Sequence, residues 1–217
     1  MKRFAVVGLG LFGTQLARTL AAAGADVVAV DDDLHRVEAL RDVVGRAIRL
    51  DARDPEALEA HDIHRADVAI VCMGQDFEGA ELATLALREL GTKHVITRGT
   101  TRERIQILEA LGPDKVIAPN VDAARRLALT LVTPRLRDIV KILPGLSVGL
   151  WRIGKNRSGA RLEELRLRGA HVAALVREGL ADAGAPEGVR FSPEPETVLN
   201  RGDLLVLLGR EVDLTRE

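Results

Sequence analysis

Between a β-branched run at residues 3–7 and an amphipathic run at residues 11–23 lies Gly8-Leu9-Gly10-Leu11-Phe12-Gly13, a G-x-G-x-x-G turn from strand to helix. In that setting the first glycine permits a tight turn and the second lets backbone approach a phosphate. The third lets the helix pack near the strand while its N-terminal N–H groups face an anion. Asp31 closes the next β-branched run, 18 residues after Gly13. That is near the spacing of about 20 at which an acid takes ribose hydroxyls. Strand, turn, helix and acid in this order predict nucleotide binding. The bland alternative is a glycine turn followed by a solvated acidic loop, Asp31-Asp32-Asp33. A carboxylate at Asp31 repels a 2′-phosphate, which favours NAD or an adenosine nucleotide with free ribose hydroxyls over NADP.

The same rhythm continues. Strands are expected at 3–7, 26–30, 46–50, 67–73, 94–97 and 115–118, and helices at 11–23, 34–43, 55–60, 78–90, 102–111 and 122–132. Several strand runs are apolar on both faces, as strands buried between helix layers must be. Six β-α alternations predict an α/β fold, a Rossmann-like doubly wound parallel sheet. After Thr133-Pro134 the pattern changes. Residues 136–143 read as a short connecting helix or an extended linker. They are followed by a strand at 147–153, a helix at 160–167, a strand at 170–177, a Gly/Ala/Pro loop through Gly188, and strands at 189–192 and 204–208. The expected division is residues 1–135, a nucleotide-binding domain, and 136–217, a small α+β domain. The latter is small for independence on size grounds and is expected to lean on a partner.

The remaining candidates gather at the expected carboxyl ends of strands, where open α/β sheets bind ligands. Asp51-Ala52 lies where an adenine edge would rest, with helix capping as the plain alternative. Met73-Gly74 ends the fourth strand, where Gly74 could equally be a simple turn. Arg98 ends the fifth and is placed to reach a phosphate, although in a chain with 26 arginines most must be solvated surface. Cys72 sits inside an apolar strand and reads as core. His61, Asp62 and His64 lack a third metal ligand at suitable spacing and read as surface. There is no Ser/His/Asp arrangement, H-E-x-x-H or G-x-S-x-G, and beyond residue 147 only His171 and Lys155 could serve as acid-base groups. Neither catalytic nor metal residues are expected. The net charge of -1 and 2% aromatics exclude a nucleic-acid binder that stacks bases under a positive field. No apolar run reaches the roughly 18 residues of a membrane span. The opening residues run straight into a strand pattern, so no signal peptide is expected. A cytoplasmic globular protein is expected.

Residues 4–10, Val30-Asp31, residues 69–74 and residues 111–119 together resemble the RCK (KTN) domain of the cytosolic regulatory subunits of Trk/Ktr potassium uptake systems. The tail, with Phe191-Ser192-Pro193, residues 197–199 and residues 201–209, resembles the closing strands of the small RCK C-terminal domain. The resemblance implies a gating subunit rather than an enzyme, with ATP, ADP or NAD(H) held in the crevice. It implies dimers paired through the N-terminal domain by a crossover helix like residues 122–131. These assemble into a ring, commonly an octamer, at the inner face of the membrane beneath a transporter subunit. In some members the C-terminal domain binds c-di-AMP. Gly8, Gly10, Gly13, Asp31, Asp51, Gly74 and Arg98 carry over to the site. Leu11, Phe12, Asp32, Ala52 and Met73 adjoin them. Two positions depart. Leu11 stands where ATP-responsive members often carry an arginine that reaches a neighbour's terminal phosphate. Asn120 stands where they place an acid tied to a divalent cation. Neither role is expected here. A small NAD-dependent oxidoreductase and a ring-forming scaffold with a degenerate pocket are the competing readings.

Overall fold

The computed structural model describes residues 1–177 and 188–215 and divides into two compact units, Met1–Val121 and Asp122–Glu217. The first unit alternates strands and helices: β1 (Arg3–Val7), α1 (Leu11–Ala22), β2 (Asp26–Asp31), α2 (Leu34–Glu38), β3 (Arg46–Arg49), α3 (Pro55–Ala60), β4 (Val68–Val71), α4 (Phe77–Glu89), β5 (Val95–Arg98), α5 (Arg102–Ala110) and β6 (Lys115–Ile117). The helix α6 (Pro119–Val132) follows, and the division between the units falls within it.

The six strands form one parallel sheet in the order β3-β2-β1-β4-β5-β6. Successive strand residues point to opposite faces, and both faces are covered. Ala5 and Val7 of β1 pack with Leu58, Ala83 and Leu87 beneath α3 and α4, whereas Val6 packs with Ala17, Val37 and Leu40 beneath α1 and α2. Strand order reverses at β1, whose neighbours are β2 and β4, so a crevice opens at the carboxyl ends of these strands. Helices α2, α3, α4 and α5 are capped by the side chains of Asp33, Asp54, Asp76 and Thr101. Each accepts a hydrogen bond from a first-turn N–H. At α1 the cap is Gly10, which has no side chain to offer.

The second unit holds β7 (Leu136–Leu143), β8 (Leu146–Arg152), β9 (Ala170–Val176), β10 (Val189–Phe191), β11 (Leu204–Gly209) and the short α7 (Glu211–Leu214). Its strands form an antiparallel sheet in the order β10-β9-β11-β8-β7. Leu136, Trp151, Leu175, Leu199, Leu205, Leu207 and Leu214 build its core. The Trp151 indole N–H donates to the Leu214 carbonyl at 3.0 Å. Asp203, fully buried, is answered by the Arg177 guanidinium and the Asn200 N–H.

Several elements differ from expectation. Residues 136–143 are neither helix nor linker but the sheet strand β7, joined to β8 by a hairpin with Gly145 in the left-handed region at φ 81°. Residues 160–167 are not an α-helix. Arg161 pairs in a β-bridge with Val198, only Leu162–Leu165 forms a 3-10 turn, and Arg166 ends it at φ 48°. The helix expected at 34–43 stops at Glu38, beyond which i→i+3 bonds such as Val43 N–H to Leu40 carbonyl carry the chain to β3. Of the loop expected through Gly188, residues 178–187 lie outside the described residues.

Candidate functional site

A cavity of about 620 Å³ opens in the first unit at the carboxyl edge of the parallel sheet. It collects Gly8, Gly10 and Leu11 from the β1–α1 turn and Asp31 and Asp32 from the end of β2. The segment after β3 contributes Asp51 and Ala52, the segment after β4 contributes Met73 and Gly74, and β5 contributes Arg98. Phe12 and Gly13 are not part of the wall. The Phe12 ring lies under the Arg98 guanidinium, 5.4 Å from centroid to Cζ. Gly13 is buried against Gly8, where a Cβ would overlap the Gly8 carbonyl oxygen.

The glycines divide the work. Gly8 takes φ 91°, and a Cβ there would come within 2.8 Å of Met73 Cγ. Gly10 has open space around it, so a ligand can approach its backbone closely. No side chain caps the first N–H groups of α1, and its dipole favours an anion at that end. Asp31, 6% exposed, is tied inward: Oδ2 accepts the Leu9 N–H at 2.5 Å and Oδ1 accepts the Asp33 N–H at 2.9 Å. A carboxylate has about four acceptor positions, so capacity remains for hydroxyls. Arg36 stands 3.5 Å from the same carboxylate and also lines the cavity.

Across the crevice, Arg98 has no carboxylate partner among the described residues, and its buried Nε has no hydrogen-bond acceptor. Its Nη1 sits over Gly74, where a Cβ would come within 2.8 Å. A phosphate would satisfy this guanidinium. Cys72 also reaches the wall, but burial pushes its thiol up to about 12, so it is a packed hydrophobe rather than a nucleophile. Arg53 hydrogen-bonds Asp51 and holds its carboxyl below the usual range. Arg36, Arg53, Asp76 and Thr100 were not picked out by sequence, because nothing in their spacing separates them from other polar loop residues. Asn120, in the first turn of α6 just beyond β6, also lines the wall. His61 closes α3 and His64 lies in the Ile63–Arg65 turn, its Nδ1 buried without a partner. Among the described residues no group of three or more His, Cys, Asp or Glu is arranged to hold a metal, and no helix is long and apolar enough to cross a membrane.

The whole chain is similar to the Ktr system potassium uptake protein A of Vibrio alginolyticus, 28% identical over 219 residues covering 100% of this chain and 96% of that one. It is similar also to the Ktr system potassium uptake protein C of Bacillus subtilis, 27% identical over 99% of this chain and 95% of that one. Among solved structures, the GsuK channel bound to NAD matches 98% of this chain with a TM-score of 0.55 at 23% identity. The match spans only 37% of that channel's chain, so the likeness is one of fold. Residues 4–119, more than half of the sequence, match the TrkA-N domain. The chain belongs to the TrkA-N domain family.

Proposed function

We propose that this chain is a cytosolic, nucleotide-sensing gating subunit that controls a membrane potassium transporter. The observation that carries the reading is the cavity, with an uncapped helix start and an unpaired Arg98 on one side and Asp31 on the other. Phosphates fit the α1 terminus and Arg98, and ribose hydroxyls fit Asp31. The full-length similarity to Ktr potassium uptake proteins supplies the output. Adenine nucleotides, ATP, ADP or NAD(H), are the ligands, and the chain binds them without turnover. It works as a dimer assembled into a ring at the inner face of the membrane. Leu127, Leu131 and Val132 of α6, all more than half exposed, support pairing through that helix. Regulation follows if the nucleotides bind two ring shapes with different affinities.

Calorimetry with ATP, ADP, AMP, NAD, NADH and c-di-AMP tests the sensing step, and light scattering tests the assembly. The reading expects at least one adenine nucleotide to bind more tightly than about 1 mM, or about -4 kcal/mol, without consumption. Failure of all six, or a strict monomer, contradicts it.

A further inference from the structure

Arg53 stands in the cavity wall on the β3 side, in the turn from β3 to α3. Its backbone is fixed twice. The Arg53 N–H donates to Asp51 Oδ1 at 3.0 Å, and the Asp54 N–H donates to the Asp51 carbonyl at 3.2 Å as α3 begins. The side chain is fixed as well: Nε donates to the two Asp51 oxygens at 2.9 and 3.1 Å, and Nη2 donates to Oδ2 at 2.7 Å. A guanidinium at the surface ordinarily loses rotamer freedom when a ligand orders it. This one is already ordered, so contact with a ligand costs little further entropy.

Its place in the cavity says what it would meet. A nucleotide with phosphates at the start of α1 and ribose at Asp31 runs from β1 across β2, so its base reaches the end of β3. The wall there is apolar, with Val30, Leu50 and Ala52 all buried. The Arg53 charge is answered by Asp51, with Asp76 and Asp32 close enough to add to its field. A cation so neutralised is a poor phosphate ligand, in contrast to Arg98. It keeps its planar face, and arginine planes stack on aromatic rings.

We propose that Arg53 is the stacking wall of a purine slot, with Asp51 acting as the positioning residue that holds its plane. The inference rests on the nucleotide reading above. Calorimetry with ADP and UDP on wild type, Arg53→Ala and Arg53→Lys tests it. Wild type is expected to prefer ADP. Arg53→Ala should weaken ADP about tenfold while moving UDP less than about threefold. Arg53→Lys keeps the charge but not the plane, and it should behave like the alanine variant. Should Arg53→Ala lose its unfolding transition, the lysine variant carries the same comparison. Restored ADP affinity in Arg53→Lys, or equal weakening of both diphosphates in Arg53→Ala, makes the residue a charge partner and overturns the proposal. Wild-type binding that neither variant changes overturns this inference alone. Wild type that binds neither diphosphate nor any nucleotide of the earlier screen removes the site reading and this inference together.

Discussion

The carboxylate of Asp31, at the end of β2, accepts the backbone N–H of Leu9, inside the glycine turn, at 2.5 Å. The residue proposed to take ribose therefore also fixes the turn proposed to take phosphate. On that proposal, binding and loop geometry are coupled through one buried side chain. Asp31→Ala leaves the Leu9 and Asp33 N–H groups without their acceptor and should cost about 2 kcal/mol of stability. Asp31→Asn keeps one acceptor oxygen and should lose less. Urea unfolding of the nucleotide-free protein checks both, and equal stability of Asp31→Ala and wild type contradicts the coupling.

Gly10 and Gly13 separate function from packing. A Cβ at Gly13 meets the Gly8 carbonyl, so Gly13→Ala should destabilise by about 1–3 kcal/mol. A Cβ at Gly10 meets nothing within 4 Å, so Gly10→Ala should stay within about 1 kcal/mol of wild type yet bind nucleotide more weakly. Thermal unfolding beside calorimetry reads the difference.

Arg98 should carry phosphate recognition. Arg98→Ala is expected to weaken ADP by about tenfold or more, the loss of one charge-assisted contact. Gly74→Ala should push the same guanidinium aside and weaken binding in the same direction. A nucleotide affinity that Arg98→Ala leaves unchanged removes the phosphate assignment.

Cys72 is 3% exposed with its thiol raised by burial. At pH 8 the native protein should resist iodoacetamide and react fully once unfolded in urea. Rapid stoichiometric labelling of the native state would contradict the packing described.

Asp67 and Asp114 set part of the acid stability of the first unit. The Lys93 ammonium and the Arg3 N–H hold the Asp67 carboxyl below its usual range, and the Val95 N–H does the same for Asp114. A carboxylate lowered in the folded state contributes fully above its unfolded value, near 4, and loses that contribution as pH falls through the folded value. The stability gap between wild type and Asp67→Asn, whose partners keep their charge throughout, should therefore be constant from about pH 6 to 8 and narrow below about pH 4. Urea unfolding across that range checks it, and a gap independent of pH contradicts it.

The parallel sheet was legible because its strands are buried on both faces and appear as apolar runs, and because Gly8 to Gly13 and Asp31 fall at fixed places between them. The second unit was harder. Two register shifts, between Leu136 and Asp138 and between Lys141 and Leu143, break the two-residue alternation that would mark β7 as a strand. Residues 160–167 contain good helix formers, but the bridge from Arg161 to Val198 and the left-handed Arg166 override that propensity. At the site, ten of the twelve expected residues line one cavity, because strand ends in such a sheet converge at one edge. Phe12 and Gly13 lie behind the wall, since a helix residue's direction depends on packing that spacing does not encode. Arg53 is not legible in the sequence because its distinguishing property is three-dimensional: a salt bridge to Asp51 that also lines the crevice.

The most direct measurement is rubidium or potassium flux in proteoliposomes holding the cognate membrane transporter subunit, with this chain and each nucleotide added in turn. Nucleotide gating predicts that flux differs by about fivefold or more between two nucleotides, the lower end of ordinary allosteric coupling. It also predicts that Arg98→Ala abolishes the difference while leaving the assembly intact. Flux that is the same with every nucleotide, and the same with or without this chain, would contradict the gating role.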